Sequence, residues 1–154
     1  MFSEKDNYYM QEALVEAQKA AGADEVPIGA VLVNIETGEI TARASNSTRR
    51  DCDPTHHAEI LAIRDACKQV DAQRIPEYDL YVTLEPCPMC AAAISYARIR
   101  KVTFAACDPK SGGVLHGPKL YEHGCMHHKP EVQSGLLGEE AAVLLKEFFQ
   151  KKRI

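Results

Sequence analysis

Several things missing from this sequence of 154 residues narrow it first. No apolar run approaches the roughly 20 residues needed to cross a bilayer, so no membrane-spanning helix is expected. No basic flank followed by an apolar stretch opens the chain, so nothing reads as a secretory signal, and a cytoplasmic address is expected by default. Repeats, low-complexity tracts and linkers rich in Pro, Gly or Ser are absent too. With a length that suits one sizeable core, residues 1–154 read as a single domain. A strong charge of one sign is also lacking. The net charge is −4, and residues 1–25 account for it with six acids against two bases. A polyanionic partner is therefore not announced by overall charge and would have to be held by local patches. Arg49-Arg50, the run from Arg98 to Lys101 and Lys151-Lys152-Arg153 are the candidates, each equally readable as a solvated face.

What is present is an ordinary globular composition, 45% hydrophobic and 26% charged, which excludes a disordered or fibrous chain. Residues 4–21 read as an amphipathic helix, with Tyr9, Ala13, Val15 to Ala17 and Ala20 at near-helical spacing and Gly22 beyond its end. Residues 28–34 and 39–45 are β-rich runs joined by residues 35–38, a hairpin signal. Asp53 and Pro54 suit an N-cap and first-turn pair, opening a helix whose apolar face is Ile60, Ile63, Cys67 and Val70. Residues 79–85 form a strand ending at Pro86, residues 90–98 an alanine-rich helix and residues 101–106 a further strand. A last helix from Glu139 to Lys152 places Ala142, Leu145 and Phe149 on one side and bases at its end, where cations favour the helix dipole. This β-β-α-β-α-β order with flanking helices predicts an α/β domain, with helices on both faces of a mixed sheet. Residues 107–131 read as irregular, and so long a stretch without clear structure is often functional.

Six cysteines are present, and in a cytosolic chain of this length they point to metal or catalysis before a disulfide framework. Four of them look incidental. Cys87-Pro-Met-Cys90 has the gap that lets two sulfurs reach one ion, at a strand-to-helix junction where first-turn N–H groups favour thiolate. The same spacing also suits a redox pair, so C-x-x-C alone decides nothing. His57-Ala58-Glu59 adds weight. Residues two apart on a regular helix point to nearly opposite sides, so both can serve one site only from an opening turn. Two helix starts would then converge on one ion bound by His57, Cys87 and Cys90, with a fourth position left open as in catalytic zinc. The two thiolates cancel the ion's formal charge and the two helix dipoles partly restore its Lewis acidity. Glu59, beside the ion but not bound to it, is placed to carry the proton. Of the two neighbouring histidines, His57 is the expected ligand because of its spacing to Glu59, and His56 the bland residue. A second Cys/His-rich stretch, His123 to His128, reads more simply as pendant loop histidines.

His57-Ala-Glu59 followed by Pro86-Cys87-Pro-Met-Cys90 matches the H-x-E and P-C-x-x-C signature of zinc nucleobase deaminases. Further matches run through EVPIGAVLV, Asn46, DPTHHAEILAIR, LYVTLEPCPMCAAAI, Asp108-Pro-Lys-Ser-Gly and the closing LLKEFFQKKR, so nearly the whole chain is covered. The sequence resembles the bacterial tRNA-specific adenosine deaminases, within the wider cytidine and deoxycytidylate deaminase superfamily. That resemblance implies a three-layer α/β/α cytidine-deaminase-like fold with a mixed five-stranded sheet, one Zn2+ per chain, a homodimer with active sites near the subunit interface, and a tRNA anticodon stem-loop as partner. The implied reaction is hydrolytic conversion of the wobble adenosine to inosine, with Glu59 moving a proton to the ring nitrogen and then to the leaving amine. Asn46 and the Ala58 backbone would meet the target nucleoside, Asp108 and Lys110 the nucleotides beside it, and Phe148, Lys152 and Arg153 would support the anticodon loop. Each has a duller reading: a turn for Asn46 and Asp108, core packing for Phe148. His56 stands where relatives commonly carry a small residue, and Cys107 where a base is frequent.

Two rival readings stand beside this one. The zinc site alone would equally serve a deaminase of a free base or small nucleoside such as guanine or cytosine, although such a substrate has no need of Asp108-Pro-Lys or the basic C-terminal end. A non-enzymatic zinc module or a C-x-x-C redox protein is the reading from another class. The first would want a fourth protein ligand, and the second has no use for His57 and Glu59.

Overall fold

The computed structural model describes residues 1–152. Helix α1 (Glu4–Gly22) begins at a complete capping box: the Asp6 N–H donates to Ser3 Oγ at 3.1 Å and the Ser3 N–H to Asp6 Oδ2 at 2.8 Å. Strands β1 (Gly29–Asn34) and β2 (Ile40–Ser45) form the expected hairpin, turned by Asn34 Oδ1 accepting from Glu36 and Thr37 and by Gly38 at φ +75°. After them come α2 (Ala58–Val70), β3 (Tyr78–Leu84), α3 (Pro88–Tyr96) and β4 (Lys101–Ala106), then β5 (Glu131–Ser134) and α4 (Gly138–Lys152).

The strands lie in the order β2-β1-β3-β4-β5. β1 runs antiparallel to both β2 and β3, whereas β3, β4 and β5 are mutually parallel, so the sheet is mixed and five-stranded. Alternation along each strand feeds two cores. Leu32, Leu80, Val82, Val102 and Phe104 point to the face covered by α2 and α3. Val31, Val33, Tyr81 and Ala105 point to the face covered by α1 and α4. The result is the three-layer α/β/α architecture of the cytidine-deaminase-like fold. α1 crosses β1 at Gly29, where an added Cβ would stand 2.1 Å from the Ala13 carbonyl oxygen. In the parallel pair β3 and β4, Leu84 and Ala106 are partners. The segments leaving those two residues therefore emerge side by side at the carboxyl edge, where open α/β sheets place their sites.

Five sequence expectations change. α2 begins at Ala58, with His57 as its N-cap, because Asp53 turns its carboxylate to the N–H and hydroxyl of Thr55 in a local turn. Its packing face is the small-residue set Ala58, Ala62 and Ala66, which brings the helix close to the sheet. Ile60, Ile63 and Cys67 are half-buried, and Val70 is exposed. α3 spans Pro88–Tyr96 rather than 90–98, with Pro88 in its first turn and Arg98 in the left-handed region just past its end. α4 seats Ala141, Leu144, Leu145 and Phe148 and leaves Ala142 and Phe149 exposed. The irregular segment contains one 3-10 turn, Leu120–Glu122, and leads into β5, whose polar sequence EVQS carries little strand signal of its own.

Candidate metal centre and cleft

His57 and Cys87 occupy equivalent places, each the N-cap of a helix, each in extended backbone, and neither forming a side-chain capping bond. Their side chains are thereby free to turn inward. His57 Nδ1 lies 3.6 Å from Cys87 Sγ and 3.5 Å from Cys90 Sγ, and the three atoms sit within 4.8 Å of one another. Tetrahedral zinc, with nitrogen at about 2.05 Å and sulfur at about 2.3 Å, separates those two ligand atoms by about 3.6 Å. The tripod therefore fits zinc, and His57 is the histidine placed to serve it.

Electrostatics favour the same assignment. Hydrogen bonds from the Cys90 thiol and from His57 bring the Cys87 thiol down to about 4, so it is a thiolate at neutral pH. Cys90, buried and donating to Cys87, is pushed upward and holds the proton that an incoming cation would displace. The hydrogen bond with Cys87 raises His57, against the opposing effect of burial. Glu59 is 3% exposed in the first turn of α2, and burial pushes its carboxyl up to about 7, with the Cys87 charge adding to the rise. A carboxyl that changes state near neutrality beside a metal site is suited to moving protons.

His57, Cys87 and Glu59 line an open cleft of about 640 Å3, with Cys90 buried behind them. One wall carries Asn46 and Thr48 from the segment after β2, another Asp108, Lys110 and Ser111 from the segment after β4, and Leu145 and Phe149 of α4 complete the lining. Ala58 is buried beneath the cleft. Phe148 does not line the cavity; it packs edge-on against Phe149 with Lys152 Nζ over its ring at 5.7 Å. Lys152 also pairs with Asp24. Arg153 lies outside the described residues. The Asp108 carboxylate accepts from the N–H groups of Lys110 and Ser111, so it starts a turn while facing the cleft. His56 places one ring nitrogen 2.8 Å from Asp51 and the other 3.0 Å from Asp53, clamping the turn ahead of α2. His123 and His128 each direct Nε2 at a backbone carbonyl, of Pro118 and Ile99, which accounts for them structurally.

Sequence reasoning missed two buried acids that hold the walls. Glu25, 1% exposed, accepts from the N–H groups of Arg49 and Arg50 and braces the wall that carries Asn46 and Thr48. Glu85, 2% exposed, accepts from the N–H groups of Asp108, Val114, Leu115 and His116 and from His116 Nδ1. Burial alone would push Glu85 up, but these donors together hold it below the ordinary carboxylate range. Glu85, Cys107 and His116 also lie close enough to suggest a second metal site. The geometry argues for a hydrogen bond there. Two ligands of one ion at about 2.1 Å stand about 3.0 Å apart at right angles and farther apart in a tetrahedron. His116 Nδ1 and Glu85 Oε1 are only 2.7 Å apart, and both carboxylate oxygens already accept N–H groups.

Comparison with known proteins agrees with this geometry. Residues 3–106 match the family described as the cytidine and deoxycytidylate deaminase zinc-binding region. A tRNA-specific adenosine deaminase of Agrobacterium fabrum is 52% identical over 147 residues, 96% of this chain and 95% of that protein. Among solved structures, a tRNA:A34 deaminase that edits A to I at the wobble position of transfer RNA is 52% identical, with a TM-score of 0.87, covering 90% of this chain and 99% of that one. A guanine deaminase from Bacillus subtilis is 38% identical over 70% of this chain and 66% of its own, with a TM-score of 0.62. The chain belongs to the zinc-binding cytidine and deoxycytidylate deaminase family, among its tRNA-specific adenosine deaminases.

Proposed function

We propose that this chain hydrolyses the exocyclic amine of the wobble adenosine in a tRNA anticodon loop, giving inosine and ammonia. The observation that carries the reading is a buried proton-carrying carboxylate, Glu59, set beside a three-ligand zinc tripod on an open cleft. When bound, zinc supplies Lewis acidity, bringing the pKa of water from about 15.7 toward about 7. His57, Cys87 and Cys90 hold it. Glu59 takes one proton from water as the oxygen bonds to C6 and passes it to the ring nitrogen, then takes the second from the new C6 hydroxyl and gives it to the amine as the C–N bond breaks, leaving the C6 carbonyl and ammonia. Asn46 and the Ala58 backbone orient the flipped base from one side. Asp108 and Lys110 meet the neighbouring nucleotides from the other, and the α4 end with Phe148 and Lys152 supports the loop from outside the cleft.

The wobble-editing activity of relatives 52% identical supports an RNA substrate. The cleft, of a size usual for ligands larger than a bare base, agrees with that. The likeness to a guanine deaminase motivates the second reading, a free base. The test measures ammonia or inosine released from an anticodon stem-loop, with adenosine, guanine and cytosine run alongside. Turnover of the stem-loop should dominate, and faster turnover of guanine would overturn the RNA reading. We assign the protein to the cytoplasm as a homodimer of single-domain chains. The half-buried Ile60 and Ile63, with Tyr96 at 65% and Val70 at 42% exposed on the outer surfaces of α2 and α3, support association with a second copy.

A further inference from the structure

We infer that Glu85 is a positioning residue: its buried carboxylate locks the wall formed by residues 107–116 to the strand that delivers the cysteine pair, and so sets how the nucleotides beside the target base are held. This rests on the RNA-editing reading. The argument starts from the donors. Glu85 leaves β3 two residues before Cys87, and its side chain is fully buried. Oε1 accepts from the Asp108 N–H at 3.0 Å and pairs with His116 Nδ1 at 2.7 Å. Oε2 accepts three consecutive N–H groups, from Val114, Leu115 and His116, at 2.9–3.2 Å. A carboxylate offers about four lone-pair sites, so both oxygens are saturated.

The loop is shaped around that anion. A Cβ on Gly112 would stand 2.4 Å from Glu85 Oε2, and one on Gly113 would stand 2.6 Å from the Pro88 nitrogen. Gly113 also donates to the Pro86 carbonyl at 2.8 Å, so the loop is tied on both sides of the cysteine pair's entry. Asp108, Lys110 and Ser111 lie at the near end of this wrapped segment and line the cleft. None of the hydrogen bonds that Glu85 accepts comes from His57, Cys87 or Cys90, so the acid acts through the wall.

Glu85→Gln separates these roles, because it keeps the size of the side chain but turns an amide donor toward backbone donors. The zinc-loaded variant is compared with the parent by metal analysis, by amide hydrogen exchange over residues 108–116 and by steady-state kinetics on the stem-loop. We expect zinc content to be unchanged and exchange at Val114, Leu115 and His116 to be at least roughly tenfold faster. KM should rise roughly tenfold while kcat stays within about threefold, as for the loss of one or two polar substrate contacts. Glu85→Asp should restore part of the KM loss. Gly112→Ala, which crowds the same oxygen from the opposite side, should reproduce the Gln phenotype and replaces it should that variant not fold. Unchanged exchange overturns the lock, and faster exchange with unchanged KM overturns the positioning role. Zinc loss with a fall in kcat alone would place Glu85 in the metal site. A parent enzyme inactive on the stem-loop would defeat the RNA reading, while the exchange comparison would still decide the lock without substrate.

Discussion

The metal corner and the walls that line the same cleft are built in opposite ways. In the corner, four functional side chains come from two short segments, each at a helix start, and the geometry follows from local spacing. The walls carry their cleft-facing residues on irregular backbone, one held by Glu85 across 23 to 31 residues of sequence and the other by Glu25 across 24 and 25. One region is specified by its neighbours in the chain, and the other by a distant buried charge. Chemistry is therefore assigned to the part specified by local sequence, and recognition to a part whose shape can be altered without touching the reacting groups.

The largest expected effect tests that division at the corner. Glu59→Ala should retain zinc by metal analysis yet lose about 10²–10⁴ of its turnover, the usual contribution of a positioned proton carrier. Turnover within tenfold of the parent would move the proton to some other group. A middle effect concerns stability. In the zinc-free protein, burial raises the Glu59 carboxyl from 4.5 to about 7, so the folded state prefers its protonated form. That contribution is fully present below about pH 4.5 and is lost as pH rises through about 7. Glu59→Gln, neutral at every pH, should thus raise the melting temperature of the zinc-free protein relative to the parent at pH 8, and change it little at pH 5. An equal difference at both values would show that Glu59 is not held out of water. The smallest effect belongs to the wall. Lys110→Ala should weaken stem-loop binding a few-fold and lower the slope of log affinity against log salt by roughly one, without changing zinc content or melting temperature. An unchanged slope would remove Lys110 from the phosphate contacts.

The same contrast explains which parts of the molecule were legible in the sequence. The corner could be read because ligand spacing, thiolate chemistry and helix starts are all local facts. The hairpin and α1 were also legible, since their periodicity and turn residues lie within a few positions of each other. The start of α2 was not. Asp53-Pro54 carries a helix-start signal that the chain uses for a turn, and a metal ligand takes the cap position instead. The β5 strand draws its structure from its parallel register with β4, a partner 30 residues earlier. Glu85 lies within LYVTLEPCPMCAAAI, yet nothing near it in sequence reveals that four amides and an imidazole from a distant loop surround its carboxylate. The apolar stripe of α2 was misjudged for a related reason. Alanines pack nearest the sheet, and the large side chains that dominate the periodicity stand partly outside.

One last consequence follows from the two helices that begin on ligands. α1 opens with a serine cap, whereas α2 and α3 forgo one, and a missing cap costs about 1 kcal/mol per helix. The cation, on arrival, ties down the turns that a hydroxyl would otherwise secure. Stripped of it, the protein should loosen first at its workplace, while the two hydrophobic layers beneath stay assembled. Metal starvation would then leave a dormant, reloadable enzyme and not a denatured one.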